Sequence, residues 1–374
     1  MTDRLKSLFT NYGQSPWLDN LKRSYITSGE LAKIRHDGIR GLTSNPTIFQ
    51  KAIQGSDDYL EQFTELVRDQ QSSLDRYWQL VLRDIHSALT IFAPLHEESK
   101  GLDGFVSVEV DPSLAHEGAH TLVAARDLDT KINRPNVMIK IPATREGIPA
   151  IKTMISEARN VNVTLIFSLE RYQQVMDAYL EGLEILAQAS PQKVKSVASV
   201  ASFFISRVDT EIDRLLEKST DDKAKALLGT AAVNQAKIAY EMFTKMFSGP
   251  RWAKLESLGA KVQRPLWAST STKNPKYSDT LYVDSLIGPN TVNTLPDNTV
   301  AAFSHHGILD QTITQNITQA HEQWNALGDF GINVADVASR LESEGVASFQ
   351  KSFDELLAVL DAKASEITKP APTN

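Results

Sequence analysis

Cysteine is absent from all 374 residues, which excludes disulfides, thiol nucleophiles and Cys-ligated zinc and agrees with a reducing compartment. There is also no apolar run of membrane-spanning length, and the opening stretch MTDRLKSLFTNYGQSPW lacks the apolar core of about 7 to 15 residues that a signal peptide needs. A cytoplasmic protein is the expectation. Positive charge is in deficit, with 39 Lys and Arg against 46 Asp and Glu, a formal net charge of -7, and no basic block or stripe. Neither nucleic acid nor an anionic membrane is therefore expected as a partner, although small phosphate-bearing molecules need only a few local cations. Neither G-x-G-x-x-G nor G-x-x-x-x-G-K occurs, which weighs against dinucleotide and P-loop enzymes. No linker, repeat or low-complexity block breaks the chain, and 41% of it is hydrophobic. Residues 1–374 are expected to form a single domain.

What the chain does have is a rhythm of short apolar runs alternating with longer helix-patterned segments, the βα pattern of a parallel sheet. Predicted strands cover 15–21, 38–45, 104–110, 136–143, 161–168, 194–206, 264–270 and 279–287. Eight such strands close a barrel. The expected fold is α/β, a parallel (β/α)8 TIM barrel. Helices are predicted over 28–37, 145–158 and 169–188, with additional helices inside 57–93 and 208–247. A helical extension runs from about residue 300 to Ala364, followed by a frayed tail, ITKPAPTN.

The strand NVMIKIPA (136–143) has a lysine in its apolar middle. Alternation sets Val137, Ile139 and Ile141 on one face and Met138, Lys140 and Pro142 on the other. Both faces are mostly apolar, as in a parallel sheet covered on both sides, so Lys140 is expected to point into an enclosed space. A buried ammonium is relieved either by a lowered pKa or by carboxylate partners, and a neutral amine forms Schiff bases with carbonyl compounds. The alternative is a lysine snorkelling from an edge strand to solvent.

Barrel chemistry gathers at the carboxyl ends of the strands. Polar residues there are Asp19; Thr43, Ser44 and Asn45; Ser107, Glu109 and Asp111; Lys140; Asn162 and Thr164; Ser202, Ser206 and Arg207; and Ser269, Ser271 and Lys273. Taken singly, each has an ordinary role as a cap, a turn former or a surface charge. Taken together, a lysine, two carboxylates and several hydroxyl and amide groups supply what a Schiff-base lyase requires. Such an enzyme needs a base for carbinolamine dehydration and a second acid-base group at the substrate hydroxyl.

GLTSNPTIFQKAI (41–53) and VMIKIPATREGIPAIKTM (137–154) resemble the two signatures of the transaldolase family, and SVEVD (107–111), NVTLIFS (162–168) and SFFISR (202–207) resemble its strand motifs in the same order. The likeness spans about 15–300 and is to the longer bacterial type. It implies transfer of a dihydroxyacetone unit from sedoheptulose 7-phosphate to glyceraldehyde 3-phosphate, giving erythrose 4-phosphate and fructose 6-phosphate, without metal or cofactor. The partners implied are phosphorylated sugars, with the protein a monomer or a homodimer. By the same likeness Lys140 is the Schiff-base lysine, and Glu109 shuttles protons through a water also held by Thr164. Asp19 takes the hydroxyl proton that triggers cleavage. Asn45 and Asn162 hold the enamine hydroxyls with Ser107 and Ser202 in support, and Arg207 clamps the phosphate. Where many members carry a second arginine near the seventh strand, ASTSTKN (268–274) has Lys273.

Competing readings are a different Schiff-base aldolase on the same barrel, a barrel that has lost catalysis and only binds, and a zinc hydrolase. The last rests on HEGAH (116–120), which satisfies H-E-x-x-H. Against it, Gly118 weakens the helix that the motif needs, and no G-x-x-H follows to supply a third ligand. His305 and His306 are expected in a loop, and the glycosylation-like triplets at Asn162 and Asn316 carry little weight in a cytoplasmic protein.

Overall fold

Eight parallel strands close on themselves in chain order in the computed structural model, which describes residues 3–368. They are β1 (Gln14–Leu18), β2 (Leu42–Thr43), β3 (Val106–Glu109), β4 (Val137–Pro142), β5 (Val161–Ile166), β6 (Ser199–Phe204), β7 (Arg264–Ala268) and β8 (Thr291–Leu295). β8 returns to β1 in parallel register, with Gln14 opposite Thr291. Every strand residue is buried, as expected when helices cover the outside and side chains fill the inside. The outer wall includes α1 (Pro46–Gln54), α2 (Leu60–Arg68), α3 (Ser73–Glu98), α4 (Gly118–Ile132), α5 (Gly147–Ser156), α6 (Leu169–Ala189), α7 (Ser206–Leu216), α8 (Ala231–Met246), α9 (Asp297–His306) and α10 (Val334–Thr368). α2, α3, α7 and α8 hold the additional helices expected within 57–93 and 208–247. Of the predicted tail, Lys369 to Asn374 lie outside the described residues.

Two expectations are corrected. Residues 279–287 are not the eighth strand. Leu281–Asp284 is a short helix, with Thr280 Oγ1 donating to Asp284 Oδ2 at 2.6 Å, and its Tyr282 and Val283 are buried in the core. The closing strand is the more polar TVNTL, whose Thr291 and Asn293 share the outward face of the barrel with Trp267 and find partners there. Asn293 Oδ1 accepts from Thr270 Oγ1 at 2.9 Å and Thr291 Oγ1 accepts from Gln14 Nε2 at 2.9 Å. His305 and His306 are the last two residues of α9 rather than part of a loop.

Local chemistry explains much of the entry to the barrel. β2 is short because Gly38 turns the chain at φ +123 and Gly41 lies flat on the Trp17 indole, where a Cβ would stand 2.5 Å from the ring. Asn45 then caps α1 by accepting from Ile48 N at 2.9 Å, and Pro46 opens the helix with φ already set. At the amino ends of the strands, Asp103 is fully buried between Arg40 (2.6 Å) and Arg264 (3.1 Å), and it accepts from Ser15 at 2.9 Å. Burial alone would raise its pKa, but the two guanidinium groups hold the carboxyl below the usual range.

The helix that begins beside Arg207 is anchored by two acids. Asp213 accepts from Tyr277 Oη at 2.7 Å and from Gly229 N at 2.9 Å, while Asp209 accepts from Ala232 N at 2.7 Å. Asp209 is 1% exposed, and burial, reinforced by the Asp213 charge, pushes its pKa up to about 7. Its folded form therefore keeps a proton that the unfolded chain has lost above about pH 4. This group's contribution to stability is thus complete below about pH 4 and is lost as pH rises through about 7, at up to about 1.4 kcal/mol per pH unit. Asp209→Asn, permanently neutral and still able to accept from Ala232, should lose less stability than wild type between about pH 5 and pH 8. Urea unfolding at both pH values checks this, and equal pH sensitivity in the two proteins would refute it.

Candidate active site

Lys140 points into the barrel, as the alternation of β4 requires, and is 4% exposed. The edge-strand alternative is excluded, since β4 pairs on both sides. Of the two ways to accommodate a buried ammonium, the structure displays partnership. Nζ lies 3.1 Å from Glu109 Oε2 and donates to the Ser44 carbonyl at 2.9 Å. Glu109 stands opposite Lys140 in the β3–β4 register, which brings the two groups together from adjacent strands. Burial raises the Glu109 pKa above the ordinary carboxylate range, although the Lys140 charge opposes the shift.

A cavity of about 120 Å³ opens above this pair at the carboxyl ends of the strands. Asp19, Asn45, Lys140, Thr164, Ser202, Arg207 and Lys273 all line it, from six different strands or the loops after them. Asp19 follows β1 directly and keeps some exposure at the mouth. Its carboxyl is nevertheless walled in enough that desolvation raises its pKa against the pull of Lys140 and Lys273. Thr164 is fully buried, and its Oγ1 has no hydrogen-bond partner among the described residues. Just beyond it Leu165 takes φ +60, and the β5–β6 register shifts between Val163 and Ile166. This irregularity is a bulge of the kind found beside functional sites.

Glu109, Ser107 and Asn162 do not line the cavity but support it from below. The Asn162 amide is engaged at both ends, donating to Ser107 Oγ at 3.0 Å and accepting from Ser202 Oγ at 2.7 Å. Asp111 is separate, and caps a turn by accepting from Ser113 N at 2.8 Å. Arg207 lies over the rings of Phe204 (5.4 Å) and Phe349 (6.0 Å), with no carboxylate at ion-pair distance among the described residues. Lys273 reaches the same cavity from the exposed loop after β7, so the two cations predicted for phosphate face one space. Two contributors escaped the sequence reading. The Ser44 carbonyl was hidden because any residue can offer one. Phe349, on α10, was hidden because it lies far beyond the last strand.

The chain matches the sequence pattern of the Transaldolase/Fructose-6-phosphate aldolase family over residues 16–360. It belongs to that family. Among its relatives, the transaldolase of Parafrankia sp. is 48% identical over 347 residues, covering 92% of this chain and 94% of the relative. The transaldolase of Trichodesmium erythraeum is 47% identical over 369 residues, covering 96% and 97%. Transaldolase 2 of Streptomyces avermitilis is 45% identical over 375 residues and covers both chains completely. The transaldolase family match continues past β8 to residue 360 and so takes in Phe349.

The competing zinc motif is not assembled in this transaldolase-family barrel. Gly118 opens α4, so His116 precedes the helix and does not share a helical face with His120. His116 lies 3.5 Å from Glu146, while His120 pairs with Glu117, and both histidines are exposed. Among the described residues no group of His, Asp and Glu side chains is arranged to hold a metal ion, and no helix is long and apolar enough to cross a membrane.

Proposed function

We propose that the protein transfers a dihydroxyacetone unit between phosphorylated sugars through an imine on Lys140. The observation that carries this reading is a buried lysine amine 3.1 Å from a carboxyl whose pKa is raised, opening on a cavity that Asp19 and Arg207 share. A proton passing from the ammonium to Glu109 leaves a neutral amine and a neutral acid, the pair that a low-dielectric site favours. The amine adds to the ketose carbonyl. Glu109 then protonates the departing hydroxyl, so water leaves and a protonated imine remains. Asp19 takes the proton of the hydroxyl next to the breaking carbon–carbon bond. The electron pair of that bond moves toward the imine, giving an enamine on Lys140 and a free aldehyde. When an acceptor aldehyde replaces the first, the enamine attacks it and Asp19 returns the proton. The raised pKa of Asp19 suits a group that must hold a proton between the two steps.

Thr164 contributes a buried hydroxyl to the cavity it shares with Lys140, and Asn45 and Ser202 offer polar atoms to the three-carbon unit, with Ser107 and Asn162 bracing them. Arg207 and Lys273 bind the phosphate. We further propose a single barrel domain acting in the cytoplasm as a monomer or homodimer, with no nucleic-acid partner, in keeping with its net charge of -7.

The test is coupled transfer activity with fructose 6-phosphate and erythrose 4-phosphate, run with and without chelator. Sedoheptulose 7-phosphate should form at the same rate in both, and loss of activity with chelator would return the zinc reading. Arg207→Ala should lower kcat/KM for fructose 6-phosphate by about 10- to 150-fold, the loss of one charge-assisted contact, mostly through KM. Unphosphorylated donors should be much less affected. An equal loss with both kinds of donor would remove Arg207 from the phosphate site.

A further inference from the structure

α10 crosses the mouth of the barrel and is tied down on opposite sides. On the β6 side Arg340 pairs with Glu211 of α7 at 2.6 Å. On the β2 side, Ser352 meets Thr47 at 2.8 Å and Glu355 accepts from Gln50 at 2.7 Å, both partners lying on α1. Between these ties the helix presses onto the site. A Cβ on Gly345 would stand 3.0 Å from the Leu165 side chain, at the β5 bulge, and 3.5 Å from Arg207 Nη1. One turn later, on the same face of the helix, Phe349 lines the cavity and is 5% exposed. Its ring centroid lies 6.0 Å from Lys140 Nζ and 6.0 Å from the Arg207 guanidinium carbon. It is the one lining residue that comes from beyond Pro296.

We propose that Phe349 is a specificity-determining residue that sets the fate of the three-carbon enamine, acceptor aldehyde against water. The inference rests on the reading of Lys140 given above. After the first aldehyde departs, the enamine has two exits. It can attack a new aldehyde, which is transfer. Alternatively, its terminal carbon takes a proton and the resulting imine adds water; the carbon–nitrogen bond then breaks, the nitrogen keeps the proton, and free dihydroxyacetone leaves. The second exit needs solvent at the imine. An aromatic ring pinned above Lys140 occupies that space with apolar surface. The acceptor, unlike water, carries a phosphate that Arg207 and Lys273 can hold, and that binding energy is available to move the ring aside.

The test compares Phe349→Ala and Phe349→Leu with wild type by a ratio. Free dihydroxyacetone released from fructose 6-phosphate without acceptor is divided by transfer to erythrose 4-phosphate in the same preparation. Because the ratio counts only active molecules, partial misfolding of a variant does not move it. Phe349→Ala should raise it by about tenfold or more, while Phe349→Leu, which keeps apolar volume, stays near wild type. Borohydride trapping on Lys140 should persist in both variants. A ratio unchanged in Phe349→Ala, with trapping intact, overturns the proposal and leaves the imine mechanism standing, as does an equal rise in Phe349→Leu. Absence of any adduct on Lys140 in wild type overturns the imine mechanism and this proposal with it.

Discussion

Borohydride is expected to trap an adduct of wild type with fructose 6-phosphate, and Lys140→Ala to abolish that adduct and reduce transfer to the detection limit. The loss should be complete rather than graded, because the amine is a bonding partner in the intermediate and no neighbouring group can replace it. Lys273 shares the cavity but lies on its exposed rim. Folding should survive the change. Removing one member of a buried ion pair usually costs about 3–5 kcal/mol when the other stays charged. Here burial already favours the protonated form of Glu109, so the orphaned carboxyl can neutralise itself by binding a proton. Thermal unfolding by circular dichroism should therefore show a cooperative transition alongside the absent adduct. Peptide mapping of the trapped wild-type protein decides the assignment. An adduct on Lys273, or on any other lysine, would end the case for Lys140.

Much of the barrel was legible because a parallel sheet leaves a periodic mark. In β4, β-branched and apolar residues on both faces announce a covered strand, and the one lysine that breaks the pattern marks the candidate site. Glu109 was legible as a strand-end acid, but its contact with Lys140 was not, since the pairing comes from the β3–β4 register and not from any local pattern. β8 was misplaced for the converse reason. Its Thr291 and Asn293 share the outward face of the barrel with Trp267 and bond to Gln14 and Thr270, so the strand looks like a loop, while the apolar Leu281–Asp284 beside it looks like a strand. Asn162 was legible as a polar residue of the fifth strand, yet nothing in the sequence told that both ends of its amide are taken by serines. Phe349 shows a deeper limit. Helical periodicity places it on the buried face of α10 with Phe353 and Leu356. Whether that face covers another helix or the mouth of a barrel is decided by ties such as Arg340–Glu211 and Thr47–Ser352, made over long separations in the chain.

Glu109→Gln should slow both formation and hydrolysis of the imine by about 10²- to 10⁴-fold, the usual contribution of a positioned acid-base group. The amide preserves the shape of the carboxyl and its place beneath the cavity, but it cannot take the proton from the ammonium or return it to the carbinolamine hydroxyl. The extent of trapping at long times should approach that of wild type, because a proton shuttle changes rates and leaves the equilibrium between ketose and imine alone. Carbon–carbon cleavage, assigned to Asp19, should become faster than imine formation, so the variant should release aldehyde without a pre-steady-state burst. Rapid-quench borohydride trapping over time measures this directly. If Glu109→Gln forms its adduct as fast as wild type, proton transfer must run through another group, and Asp19, the other carboxyl whose pKa desolvation raises at the cavity, becomes the shuttle for both halves of the reaction. If the variant forms no adduct even at long times, Glu109 instead holds Lys140 in its reactive position, and the 3.1 Å contact is a matter of alignment rather than of proton exchange.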